Sequence, residues 1–156
     1  VTGAAVRAGT APADVYRRPF VTIWTALQNG TDWQAAVNAG LERATSTAAM
    51  DVQLTMTHTL REIGSRDDRI VGFQRVPDAG ACTFCQLVSG QRYRTDQLMP
   101  LHNRCGCGVD VITAADRHLF TGNAANDLDL PAGVAVEQHG ELGPVLADPA
   151  HTFAHV

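Results

Sequence analysis

The chain has 156 residues, 45% of them hydrophobic, and a net charge of −4, which describes one globular unit and argues against a strong nucleic-acid binder, because neutralising phosphates needs a basic surface. All 12 basic residues are arginine, a usage that points to a GC-rich coding sequence. No apolar signal segment opens the chain and no stretch approaches the ~20 apolar residues of a membrane span, so no membrane association is expected.

The pattern predicts an α+β protein: N-terminal helices including one long helix, then a small metal-tied β unit, then an extended C-terminal tail. Residues 1–11 are small and uncharged apart from Arg7, and are expected to be flexible. The chain begins with Val1, so it reads as processed or as part of something longer. A helical region spans 12–64. Pro12 opens a short helix, and Pro19 opens a second with Phe20, Val21, Trp24 and Leu27 along one side, ended by Asn29-Gly30. Thr31 and Gln34 form a capping-box pattern. Behind it Trp33, Val37, Leu41, Ala44, Ala48, Val52, Met56 and Leu60 recur every three or four residues, predicting one helix over 32–63, closed near Gly64. Its alanines and threonines would let the preceding helix, or another subunit, approach closely. His58 reads as a surface or boundary residue on it.

The region 65–120 holds the chemistry. A strand is predicted over Arg69–Val76, a helical turn over Cys85–Gly90, and strands over Gln91–Arg94 and Gly108–Thr113. Between them lie Cys82-Thr-Phe-Cys85 and His102-Asn-Arg-Cys105-Gly-Cys107, which contain every cysteine of the chain. A Cys-x2-Cys pair followed by a compact second group suits tetrahedral Zn2+, since each pair can bite the ion from one turn. Four of the five candidates Cys82, Cys85, His102, Cys105 and Cys107 are expected to ligate. Cys82, Cys85 and Cys105 are the first choices, and His102 and Cys107 compete for the last place. Gly106 and Gly108 would supply the backbone freedom for that bite. Four protein ligands leave no position for a reacting water, so the zinc is structural and no catalytic residue is assigned. Two disulfides are the competing reading, suited to a small secreted domain, and a thiol nucleophile beside His102 is a third.

Residues 121–156 carry five acids and no base and read as an acidic extension that either straps a neighbour or is a solvated tail. Val134–His139 is a candidate strand, with an extended segment over 140–146. His151 and His155 lack the glutamate of a metalloprotease helix and are assigned to the tail.

The run Phe73-Gln-Arg-Val-Pro-Asp-Ala-Gly-Ala-Cys-Thr-Phe-Cys85, with Gly90-Gln-Arg-Tyr93 and Pro100-Leu-His-Asn-Arg-Cys-Gly-Cys107, resembles the phage Mu F-like family of minor head proteins. Glu137–Leu146 resembles the tails of members carried by actinobacterial phages. The family's Cys pair falls on Cys82 and Cys85 and its His-x2-Cys-x-Cys group on His102, Cys105 and Cys107, although many members have arginine at the position of Gly106. The resemblance implies a structural minor capsid protein of a tailed phage, acting in head morphogenesis or DNA packaging and delivery. Its partners would be the portal or the major capsid protein, with several copies in each virion. Related proteins labelled capsid maturation protease supply an alternative, for which Ser89 with His102 is the least implausible pair, since no Gly-x-Ser-x-Gly elbow is present. A second alternative is a zinc-stabilised contact to packaged DNA inside the head through Arg92, Arg94 and Arg104.

Overall fold

A computed structural model describes residues 6–101, 105–119 and 130–148 and has the expected α+β architecture. Three helices come first: α1 (Pro12–Tyr16), α2 (Arg18–Gln28) and α3 (Trp33–Arg66). Pro19 sits in the first turn of α2, where its missing N–H costs nothing, and Gly30 follows the helix in the left-handed region at φ 82°. The cap of α3 is Asp32 and not Thr31: the Asp32 carboxylate accepts from the Ala35 N–H at 3.1 Å.

The inward face of α3 also differs from the expected stripe. It is Ala36, Gly40, Thr47, Met50, Leu54 and Thr57, one residue earlier than expected as far as Thr47 and two or three earlier beyond it, and Trp33, Leu41 and Val52 point outward. Close packing of α2 decides this. A Cβ on Gly40 would lie 2.4 Å from the Ile23 side chain and 3.1 Å from the Pro19 carbonyl, so only glycine admits the contact without displacement. Gly64 likewise lies inside α3 rather than ending it, and a Cβ there would meet Thr95 at 2.8 Å.

The chain then enters a three-stranded antiparallel sheet in the order β2-β1-β3, with β1 (Ile70–Val76) central, β2 (Arg92–Tyr93) and β3 (Gly108–Thr113). Phe73 faces both Tyr93 and Val111 across the ladders. A short helix, α4 (Thr83–Ser89), lies between β1 and β2 and buries Phe84, Cys85 and Val88. The 3₁₀ turn Ala114–Leu119 follows β3. Finally β4 (Ala135–His139) and β5 (Gly143–Ala147) form an antiparallel hairpin. Gly143, at φ 72°, closes the 3₁₀ turn Gly140–Leu142 that joins them.

Part of the acidic C-terminal stretch is thus fixed in the interior. Leu142, Val145 and Ala147 pack with Met50 and Leu54 of α3, and Leu146 joins Phe73, Phe84, Tyr93, Leu98 and Leu101 in the main core. The Leu146 N–H donates to the Pro100 carbonyl at 3.2 Å. A charged cluster locks the other side. The Arg7 guanidinium donates to Asp51 and Glu141 at 2.6 Å each, and Arg18 reaches both Glu141 oxygens at 2.6 Å. These bonds hold Glu141 below the usual carboxylate range, with Arg18 the chief cause.

Candidate metal centre

Cys82 and Cys85 are placed by the start of α4. Cys82 is its N-cap, and its sulfur accepts from the Cys85 N–H at 3.4 Å. That geometry turns the Cys85 side chain inward, leaving it 2% exposed. Cys105 and Cys107 approach from the other side, on the segment that becomes β3. The Cys85 and Cys105 sulfurs are 3.3 Å apart, and the sulfurs of Cys85, Cys105 and Cys107 all lie within 4.8 Å of one another. All four cysteines are present as thiols. The sequence pattern therefore brings Cys85, Cys105 and Cys107 together, with Cys82 hydrogen-bonded beside them through Cys85. His102 and Arg104 lie outside the described residues, as do His151 and His155.

The electrostatics disfavour ionised thiols. Burial, together with the neighbouring Cys105 thiol, pushes Cys85 far up from its ordinary value, and Cys107 is raised as well, chiefly by burial. The backbone amide of Asp78 works in the opposite direction by hydrogen-bonding the Cys107 sulfur. Clustered thiols raise one another's pKa because charging one disfavours charging the next, and a soft divalent cation removes that penalty. Converging sulfurs, partial burial and amide N–H donors to the Cys82 and Cys107 sulfurs fit a thiophilic metal ion. Cys85, Cys105 and Cys107 can hold one.

Two supporting residues escape sequence reasoning. Gln53 of α3 is buried. Its amide donates to the Cys105 carbonyl at 3.1 Å, and its oxygen accepts from the Leu101 N–H at 3.1 Å. One side chain on the long helix thereby ties both Leu101 and Cys105 to α3. Gly106 does not adopt the left-handed region, and neither does Gly108. What Gly106 provides is room, since a Cβ there would stand 2.3 Å from Asp78 Oδ2. The second missed residue is Arg75, whose side chain is inward and 2% exposed, beside the cysteines. Strand alternation places it on the face of Phe73, a signal visible in the sequence.

Other candidates fall elsewhere. The Ser89 hydroxyl donates to the Gln86 carbonyl at 2.7 Å within α4. Arg92 and Arg94 are exposed on and after β2, at the surface. Among the described residues no helix is long and apolar enough to cross a membrane. An apolar groove of about 320 Å³ runs between α2 and α3, walled by Tyr16, Phe20, Ile23 and Leu41.

These features define an α+β protein with a buried cysteine cluster able to hold a metal ion. Residues 8–127 match the family model described as VG15 protein, a span that includes the three helices and all four cysteines. The chain belongs to that viral gene family and is a phage protein. No curated protein and no solved structure matches it.

Proposed function

We propose that this phage protein is a minor head component in the Mu F-like style, docked on the portal or the inner capsid during head morphogenesis or DNA delivery. A zinc-held β unit would form its rigid clamp. Four of Cys82, Cys85, His102, Cys105 and Cys107 hold the zinc, with Cys85, Cys105 and Cys107 at its centre. The observation that carries the reading is the division of labour in the chain. The interior of the β unit is built around its cysteines, whereas the helical half turns Phe20, Trp24, Trp33 and Leu41 outward. Exposed aromatic and aliphatic side chains are what an assembly subunit presents to a partner. A cyclic portal would offer the same groove many times, so several copies bind per head.

Proteolysis has little to work with, because the Ser89 hydroxyl is engaged by Gln86 and four ligands would close the metal to water. Quantitative mass spectrometry of purified procapsids and virions tests the proposal. A few to a few tens of copies in the head, reduced when Phe20 and Trp24 are replaced by serine, is the expected result. Absence from both particles contradicts it.

A further inference from the structure

The core of the β unit contains a charge that its described neighbours do not balance. Arg75 lies on the central strand of an antiparallel sheet, paired with Val109 and buried on the same face as Phe73. Its Nη2 donates to the Met99 carbonyl, and its guanidinium carbon stands 6.0 Å from the centre of the Tyr93 ring. Nε and Nη1 are buried and have no hydrogen-bond partner among the described residues. A guanidinium so placed is costly unless an anion faces it, and removal from water alone would favour its neutral form. No carboxylate is bonded to it among the described residues. Its partners Met99 and Tyr93 belong to the same buried cluster as Cys85 and Cys107, with Cys105 packed against it, so the acidic groups around it are Tyr93, Cys105, Cys107 and Cys85. Of these, the three cysteines are the groups that become anionic when a soft divalent cation binds.

We propose that Arg75 is the built-in counter-charge of the thiolate metal centre, balancing the negative charge that Cys85, Cys105 and Cys107 acquire on binding a thiophilic divalent cation such as zinc. The inference deepens the zinc reading above and rests on it. Three thiolates and one imidazole around a divalent ion carry one negative charge, and four thiolates carry two. The single positive charge of Arg75 neutralises the first set and halves the second. An apolar interior can then enclose a thiolate-rich site, which selects soft cations over magnesium or calcium. Arg75 acts through the ligands and touches no reacting atom, so it is a positioning residue.

The sign of its effect separates this role from a packing role. Without metal, Arg75 is a buried charge lacking its partner. Replacing it by methionine, of similar length and neutral, should leave the chelated, reduced protein as stable as wild type or more so, while weakening the metal complex. Lysine should preserve the complex. The experiment is a cobalt(II) titration of the purified full chain against a competing chelator, read by thiolate-to-cobalt absorption, alongside urea unfolding of the metal-free protein. It is run on wild type, Arg75→Met, Arg75→Gln and Arg75→Lys.

The expected result is a 10- to 100-fold loss of cobalt affinity in both neutral variants, the range typical of groups that support metal ligands, and a loss within about threefold in the lysine variant. The metal-free urea midpoint of Arg75→Met should equal or exceed that of wild type. Cobalt affinity of Arg75→Met within about twofold of wild type overturns the proposal, as does a fall in its metal-free midpoint. If neither neutral variant folds, Arg75→Lys decides alone, because a tenfold loss there shows that charge is not what the site needs. A wild-type chain that binds no cobalt overturns both this inference and the zinc reading. Binding by wild type with no effect at Arg75 overturns the inference only.

Discussion

The helical half and the β unit solve the problem of a small interior in opposite ways. Around α2 and α3 the contact is made by small residues: Ala36 and Gly40 let the two helices approach, and the large side chains Phe20, Trp24, Trp33 and Leu41 remain outside. In the β unit the large side chains Phe73, Phe84, Tyr93 and Leu101 are inside, yet they share that interior with thiols and a guanidinium. The first region is stable by close backbone approach and keeps apolar surface for something else. The second has apolar packing but encloses thiols that can hold a metal ion, with a guanidinium in the same interior. Hydrophobic content alone therefore does not tell which part of a chain is its core.

The largest expected effect comes from removing the metal. A chelator, or Cys85→Ser, should loosen the β unit well ahead of α3 without unfolding it outright, because a structural metal adds strongly to folding while the apolar cluster around Phe73 remains. Hydrogen exchange would show protection reduced over 70–113 and retained over 33–50; equal loss in both would erase the distinction between the regions. Next is Gln53→Leu, which strands the Leu101 N–H and the Cys105 carbonyl in a buried setting. It should cost about 3 kcal/mol in denaturant unfolding and speed zinc release to a chelator. Gly40→Val should cost about 1–3 kcal/mol by prising α2 from α3, with zinc content unchanged.

A smaller effect is set by pH. Glu141 has a folded-state pKa below its ordinary 4.5 because Arg18 and Arg7 bond its carboxylate. The stability this gives is complete above 4.5 and is lost as pH falls through the lower folded-state value. Thermal unfolding of Glu141→Gln should show a shallower decline below 4.5 than wild type, and identical slopes would remove the clamp on the β4–β5 hairpin from the account. Smallest of all, Trp24→Ser and Phe20→Ser should change the stability of the isolated chain by no more than about 0.5 kcal/mol, since neither side chain is inside. A larger loss would mean these residues serve the fold rather than a partner.

Much of this was readable from the sequence. Pro19 and Asn29-Gly30 bound α2 within a residue, the long helix was expected over 32–63 and runs over 33–66, and the strands over 69–76 and 108–113 lie where alternation put them. Cys85 of the Cys-x2-Cys pair meets both cysteines of the Cys-x-Cys pair in space. Most of the failures depend on a neighbour distant in sequence. Thr31 and Asp32 are adjacent cap formers, and only the path of the chain selects Asp32. Gly64 looks like a helix stop but is required by the approach of Thr95. The stripe of α3 is displaced because Ile23 occupies the space above Gly40. Gln53 looks solvent-facing until its partners at Leu101 and Cys105 are in place, and Arg75 reads as a polar strand residue unless its parity with Phe73 is followed.

The central claim is that the cysteine cluster is a metal centre. Native mass spectrometry with elemental analysis of the purified chain, compared with Cys85→Ala, Cys107→Ala and His102→Ala, tests it most directly. The account predicts one zinc per wild-type chain, lost on chelation and lost or destabilised in Cys85→Ala and Cys107→Ala. A wild-type chain without metal, or one whose metal content is indifferent to both cysteine substitutions, would contradict it.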